Sequence, residues 1–273
     1  MIDPLPSLKE VIDRFDLAPK KSLGQHFLLN PSVLEKIVNA AGDLSTSTVI
    51  EVGPGPGGLS RVIAQKGCPH FYLIEKDSRA IEALGLLKAY NTPLTILEDD
   101  ALQVDAHLLG NAPRKLISNL PYNVSVPLLL NWLHHISDFE MLVLMFQKEV
   151  ALRLVAKPST ADYGRISVIT QLVADVELLF DLPPGAFSPP PKVVSSIVRV
   201  KPKQEIPHID FSAFEKLTAA AFGQRRKMLR SSLKQIMKTP EETLTAAGIS
   251  PTARAEELTP QDFLKLYQAW KSE

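Results

Sequence analysis

The chain has 273 residues, 45% of them hydrophobic and 22% charged, which suits one large globular domain with a small accessory one. Its 30 Lys and Arg balance 30 Asp and Glu, so a polyanionic partner would have to be met by a local patch. The single cysteine, Cys68, excludes an internal disulfide framework and a cysteine-rich zinc site, and a reducing, cytoplasmic setting is expected.

The first residues, Met1 to Asp16, mix prolines and acids with apolar positions and lack a basic start followed by an apolar core, so no signal peptide is expected. No apolar run approaches the ~20 residues needed to span a bilayer.

In chain order, Thr48-Val49-Ile50-Glu51-Val52 reads as a strand that ends in a glycine-rich turn, with a helix beginning over Leu59 to Ala64. His70 to Ile74 is a second strand, Ser78 to Tyr90 a helix, and Leu94 to Leu97 a third strand. Lys115 to Asn119 and Met141 to Gln147 are two more, with a helix between them from about Val126. Strands that alternate with helices imply an α/β fold, a parallel sheet covered on both faces, with ligands bound outside the carboxyl ends of the strands. Val176 to Leu182 and Val193 to Val200 read as a hairpin-like return through Pro183-Pro184 and Pro189-Pro190-Pro191, adding an antiparallel strand. After a polar linker over Lys201 to Pro207 the pattern is purely helical: Phe211–Phe222, Arg225–Lys238, Pro240–Ala247 and Pro260–Lys271. The expected division is residues 1–205 and 206–273.

Two segments carry chemistry. Glu51-Val52-Gly53-Pro54-Gly55-Pro56-Gly57-Gly58 links a strand to a helix, and glycines there let the backbone approach a ligand closely. Gly53, Gly55 and Gly58 also fit the dinucleotide spacing, with Glu75 placed after the second strand to bind a ribose, so a nicotinamide or flavin enzyme stays open at this point. The acid and the two prolines in the turn favour an uncharged ribose and amino-acid moiety instead. In Glu98-Asp99-Asp100, after the third strand, a carboxylate could accept an adenine amine; it could equally be a capping acid.

The second segment is Asn119-Leu120-Pro121-Tyr122, ending the fourth strand at the ligand edge. An exocyclic adenine amine is a weak nucleophile because its lone pair is delocalised into the ring. Two acceptors, the Asn119 side-chain oxygen and the Leu120 carbonyl, suit its two N–H groups and would turn the lone pair toward a methyl sulfonium. Pro121 fixes the turn, and Tyr122 offers a flat face to an unstacked base. Such catalysis is positioning and electrostatics, for which no metal is expected. Standing alone, the same tetrapeptide would be an ordinary turn with a buried tyrosine.

These residues, in this order, resemble the KsgA family, the small-subunit (16S) ribosomal RNA adenine N6-dimethyltransferases. Lys21-Ser22-Leu23-Gly24-Gln25-His26-Phe27-Leu28, the Glu51–Gly58 loop, Asn119–Tyr122, Tyr163 to Val168, Phe187 to Val193 and Ala221 to Lys227 carry the likeness across nearly the whole chain. The resemblance implies a Rossmann-like class I methyltransferase sheet with a small all-helical C-terminal domain. The implied cofactor is S-adenosylmethionine, contacted by His26, Leu28, Gly53, Glu75, Asp100 and Asn119. Glu75 would take the ribose hydroxyls and Asp100 the adenine amine, while Tyr122 and Phe187 would sandwich the target adenine. The implied substrate is two adjacent adenosines in a hairpin loop near the end of 16S RNA, in a nearly mature small ribosomal subunit, modified by a monomer.

Arg225, Arg226, Lys227, Arg230, Lys234 and Lys238 fall on one expected helix without an acid, and Arg226, Arg230, Lys234 and Lys238 would line one face. Such a face is either simply solvated or a phosphate-contacting surface, and the enzyme context favours RNA. Lys20, Lys21, Lys148, Arg153 and Lys157 would extend it. Rival readings are a large-subunit RNA adenine methyltransferase conferring macrolide resistance, a non-enzymatic mitochondrial transcription factor of the same fold, a dinucleotide oxidoreductase, and a C5-cytosine methyltransferase. The last needs a cysteine at the active strand, and Cys68 lies before the second strand instead.

Overall fold

The structure, a computed structural model, describes residues 5–19, 25–224 and 226–272. Its elements in chain order are α1 (Leu8–Arg14), β1 (Phe27–Leu28), α2 (Pro31–Asn39), β2 (Thr48–Val52), α3 (Gly58–Lys66), β3 (His70–Glu75), α4 (Ser78–Leu84), β4 (Leu94–Glu98), β5 (Arg114–Ser118), α5 (Tyr122–Leu133) and β6 (Met141–Gln147). They continue as α6 (Lys148–Val155), α7 (Arg165–Val173), β7 (Ala174–Leu182), β8 (Phe187–Ser188), β9 (Ser195–Pro202), α8 (Phe211–Phe222), α9 (Leu229–Ser232), α10 (Pro240–Ala246) and α11 (Pro260–Lys271). No helix among the described residues is long and apolar enough to cross a membrane.

Seven strands form one sheet in the order β4-β3-β2-β5-β6-β9-β7. Strands β4 to β6 of that order run parallel, and β9 is antiparallel to β6. The chain winds outward from β2 to β4, then returns to the far side of β2 as β5. That reversal opens a crevice between the carboxyl ends of β2 and β5, where doubly wound sheets bind their ligands. β2 is buried along its whole length, as expected of a central strand covered on both faces. Leu34, Ile37 and Val38 of α2, Leu59 and Ile63 of α3, and Phe71 and Leu73 of β3 pack in one apolar cluster.

The chain divides into two compact units, residues 1–148 with 177–202, and residues 149–176 with 203–273. The sequence reading drew a single boundary near 205 and put residues 149–176 in the first unit. Their helices instead pack with the C-terminal ones. In the second unit Tyr163 donates its hydroxyl to the Leu258 carbonyl at 2.9 Å, and Phe222 stacks on Phe263 with centroids 5.6 Å apart. Leu229, Leu233, Leu244 and Leu266 complete that core.

Other differences have local causes. The helix expected from Ser78 to Tyr90 tightens into a 3-10 turn at Gly85, a poor helix residue. The helix expected from Val126 starts four positions earlier, because Pro121 is preset for the residue before a helix and accepts from Val124 and Ser125. The proline-rich return is no simple hairpin loop, since β8 within it pairs antiparallel with β1.

The continuous helix over Arg225–Lys238 is not formed. Met228 is extended, with φ −66° and ψ 148°, and only α9 and a 3-10 turn at Leu233–Gln235 follow. The Leu229 amide donates to Ala253 at 2.8 Å and Arg230 to Pro251 at 3.3 Å, so two amides that a helix would use internally are held by another loop. The four-residue spacing of Arg226, Arg230, Lys234 and Lys238 therefore does not make a single stripe. Arg225 lies outside the described residues, as do Lys20 and Lys21.

Candidate active site

The carboxyl ends of β2, β3, β4 and β5 surround a cavity of about 530 Å³. Each edge contributes the residue run that the sequence singled out: Gly53 to Gly58 after β2, Glu75 ending β3, Asp99 and Asp100 after β4, and Asn119 to Tyr122 after β5. His26 and Leu28 form a further wall. All six expected cofactor contacts, His26, Leu28, Gly53, Glu75, Asp100 and Asn119, therefore line one cavity.

The β2 loop is shaped for close approach. Gly53, Gly55 and Gly57 all have positive φ, which L side chains rarely adopt. A Cβ at Gly55 would come within 3.1 Å of the Phe27 ring, so β1 closes directly over the turn. The Gly53 amide donates to Ile74 at 2.9 Å, and Ser118 donates its hydroxyl to the Val52 carbonyl at 2.5 Å. These bonds tie the ends of β2, β3 and β5 together immediately below the cavity.

Three carboxylates differ by environment. Glu75 is almost fully buried, yet its oxygens accept from three backbone amides, Gly55 at 3.0 Å, Lys76 at 2.8 Å and Asp77 at 2.9 Å. It thereby holds the glycine loop and the turn after β3 in one geometry. Asp100 accepts from Lys76 Nζ at 2.8 Å and from the Leu102 amide at 3.0 Å, and these bonds, the lysine's foremost, hold its carboxyl below the usual range. Glu51, on β2 beneath the loop, behaves oppositely. Burial pushes its carboxyl up to about 8, against a 2.7 Å bond from the Ser60 hydroxyl and with the Glu75 charge adding to the rise.

The Asn119–Tyr122 run is fixed from two sides. Asn119 Nδ2 donates to the His26 carbonyl at 3.3 Å, and His26 Nδ1 is 2.8 Å from the Pro189 carbonyl. With its nitrogen engaged, Asn119 keeps Oδ1 as an acceptor at the cavity wall. Tyr122 is half-buried, its hydroxyl 2.6 Å from that of Ser195, and burial raises its pKa against the opposing Ser195 bond. The Tyr122 ring lies 5.7 Å from His26, tilted by 32°. Leu120 is buried and Pro121 leads into α5.

Phe187 is not brought to the cavity wall. It is 5% exposed, packed in the apolar core, and its backbone pairs with Leu28 in register. Tyr122 packs against the same apolar cluster that holds Phe187, and the antiparallel pairing of β8 with β1 fixes the Phe187 backbone. On the second unit Arg226 and Lys227 are exposed, as are Lys234 and Lys238. Arg230 is not a free cation, since it meets Glu241 of α10 at 3.5 Å. Lys148 likewise pairs with Asp181 at 2.6 Å.

Sequence reasoning missed Lys76, Ser60 and Ser195. Lys76 adjoins Glu75 at a strand end, where a position on the ligand edge was legible. Ser195 had no local signal, because the chain brings it to Tyr122 from 73 positions away.

Relatives with the same architecture are known. The chain is 50% identical over 269 residues to the ribosomal RNA small subunit methyltransferase A of Rhodospirillum rubrum, covering 98% of this chain and 93% of that one. It is also 50% identical over 267 residues to the protein of the same name from Paramagnetospirillum magneticum, covering 97% and 95%. A dimethyladenosine transferase from Plasmodium falciparum superposes with a TM-score of 0.79 at 27% identity, over 90% of this chain and 98% of the other. The 23S rRNA methyltransferase ErmE, at 22% identity and a TM-score of 0.66, shares the fold over 90% of this chain and 99% of its own. From residue 17 to residue 272 the sequence matches the family model for ribosomal RNA adenine dimethylases, and the chain belongs to that family.

Proposed function

We propose that this adenine dimethylase acts on the small ribosomal subunit, adding two methyl groups to each of two adjacent adenosines in the 3′-terminal hairpin loop of 16S RNA. The acceptor in this reading is a late assembly intermediate, and the enzyme works as a monomer in the cytoplasm. Half-identity to two proteins named for the small subunit, across nearly their full lengths, supports the choice of subunit.

The observation that carries the chemistry is the convergence of Gly53, Glu75, Asp100 and Asn119 on one cavity. The residues fit S-adenosylmethionine: three glycines hold the turn at positive φ, Gly55 without a Cβ that would crowd Phe27, and carboxylates stand ready for hydroxyl and amine donors. Glu75 would take the ribose hydroxyls and Asp100 the adenine amine, with His26 and Leu28 forming the wall. When bound, the cofactor supplies an electrophilic methyl group on a sulfonium.

Everything else is positioning by this chain. Asn119 Oδ1 and the Leu120 carbonyl accept the two N–H groups of the target amine, which localises its lone pair for in-line attack. The amine so held would accept the methyl group that the bound cofactor supplies, and its proton would pass to solvent. Tyr122 stacks on the flipped base, its ring plane set by Ser195. Arg226, Lys227 and Arg230 meet RNA phosphates, with Arg225, outside the described residues, adjoining them. Incubating the enzyme with labelled S-adenosylmethionine and unmethylated small or large subunits tests the assignment. Label in small-subunit RNA is expected; label confined to the large subunit would overturn it.

A further inference from the structure

Away from the cavity, one cluster brings together side chains with ligand chemistry. His107 lies on the 3-10 turn Ala106–Leu108 that precedes β5; His135 follows the end of α5; Asp138 lies on the 3-10 turn Ile136–Asp138 that precedes β6. The rings of His107 and His135 are stacked with centroids 3.7 Å apart and planes within 3°. One donor atom from each of the three residues lies within 4.8 Å of the others. These segments feed the amino ends of β5 and β6, whereas the cofactor cavity sits at the carboxyl ends of the parallel strands.

The backbone beneath the three side chains is held independently of them. Buried Ala106, Ile136 and Phe139 anchor the segments in the core. Arg114 then joins them, donating Nε to the Leu109 carbonyl at 2.8 Å, one Nη to Gly110 at 2.7 Å and the other to Asp138 at 3.4 Å. The turn carrying His107 and the turn carrying Asp138 are thus fastened to one guanidinium before any ligand is considered.

We propose that His107, His135 and Asp138 form a binding site for a divalent transition-metal ion, with zinc as the best match. Two imidazole nitrogens and one carboxylate oxygen are a borderline donor set, suited to zinc, cobalt or nickel and unsuited to magnesium or calcium. Ligands about 2.1 Å from a tetrahedral ion sit about 3.4 Å apart, so rotation of partly exposed side chains is enough to close the set. Water completes the coordination. The ion fastens the β4–β5 connection to the α5–β6 connection and takes no part in methyl transfer.

The test is calorimetric titration of zinc chloride into the full chain and into His107→Ala, His135→Ala and Asp138→Asn, with circular dichroism confirming each fold. One equivalent is expected to bind the parent chain, with affinity at least about tenfold weaker in either histidine variant and S-adenosylmethionine affinity unchanged. A second readout needs no variant: paramagnetic cobalt(II) should broaden the ring signals of His107 and His135 first. No saturable zinc binding, equal binding by the histidine variants, or first broadening at His26, His70 or His208 would each overturn the site.

Discussion

Asn119 Nδ2 lies 3.3 Å from the main-chain oxygen of His26, a bond that joins the Asn119–Tyr122 run after β5 to the segment leading into β1. It orients a planar amide: the nitrogen is spent on the protein, which leaves the oxygen as a free acceptor at the cavity wall. Asn119→Ala removes that acceptor and is expected to lower the single-turnover methylation rate by about two to three orders of magnitude, the scale of losing one preorganised hydrogen-bonding group. Asn119→Asp keeps an acceptor but loses the donor to His26, so it should retain more activity than alanine. Parent-like turnover in Asn119→Ala with an unchanged melting temperature would remove the residue from catalysis.

Tyr122 separates two roles that a single substitution would confuse. In the proposed reading its ring is the stacking surface, while its hydroxyl is 2.6 Å from that of Ser195. Tyr122→Phe keeps the ring and should stay within a few-fold of the parent rate. Tyr122→Ala loses base stacking worth about 1–3 kcal/mol, which corresponds to roughly five- to 150-fold in kcat/KM. Ser195→Ala removes the same hydroxyl contact and leaves the ring, so it should match Tyr122→Phe within a few-fold. Steady-state kinetics on unmethylated small subunits ranks the three; equal losses in Tyr122→Phe and Tyr122→Ala would contradict the stacking role.

The ligand edge was legible in sequence because the chemistry sits at strand ends. A β-rich run followed by glycines, an acid after the next strand and Asn119–Tyr122 after a later one locate the cavity wherever the sheet reverses. Non-local geometry was not legible. β8 pairs with β1 through two residues on each side, too few to leave a pattern, and Phe187 within it is buried. The basic segment failed for a related reason. Apolar spacing at Leu229, Leu233, Ile236 and Met237 is helical in period, yet Ala253 and Pro251 take the amides that would begin the helix. Helix α7 escaped the reading altogether; Arg165 to Val173 is so thoroughly buried that it shows little polar face.

Glu51 predicts a pH dependence of stability. Its carboxyl is held protonated in the fold up to about 8, while the unfolded chain ionises near 4.5, so between those values the fold binds a proton that the unfolded chain lacks. Stability therefore falls as pH rises through this window; the penalty is absent below it and complete above about 8. Glu51→Gln removes the titration while keeping a neutral acceptor for Ser60. In urea unfolding the variant should gain on the parent as pH is raised across the window. A stability difference independent of pH would show that Glu51 does not titrate there.

The basic surface of the second unit is best tested by comparing cations with different partners. Arg226 and Lys227 are exposed, whereas Arg230 already meets Glu241 at 3.5 Å. Each phosphate contact contributes about 0.7–0.9 to the slope of log affinity against log salt. Reversing Arg226 and Lys227 together to glutamate should weaken binding to the small subunit and flatten that slope by about 1.5, with S-adenosylmethionine affinity unchanged. Arg230→Ala should do less, because its charge is partly neutralised and its release leaves Glu241 free in water. Filter binding over a salt series distinguishes the two. A larger loss from Arg230→Ala than from the double reversal would mean that the Glu241 pair opens on RNA and that Arg230 is the principal phosphate contact.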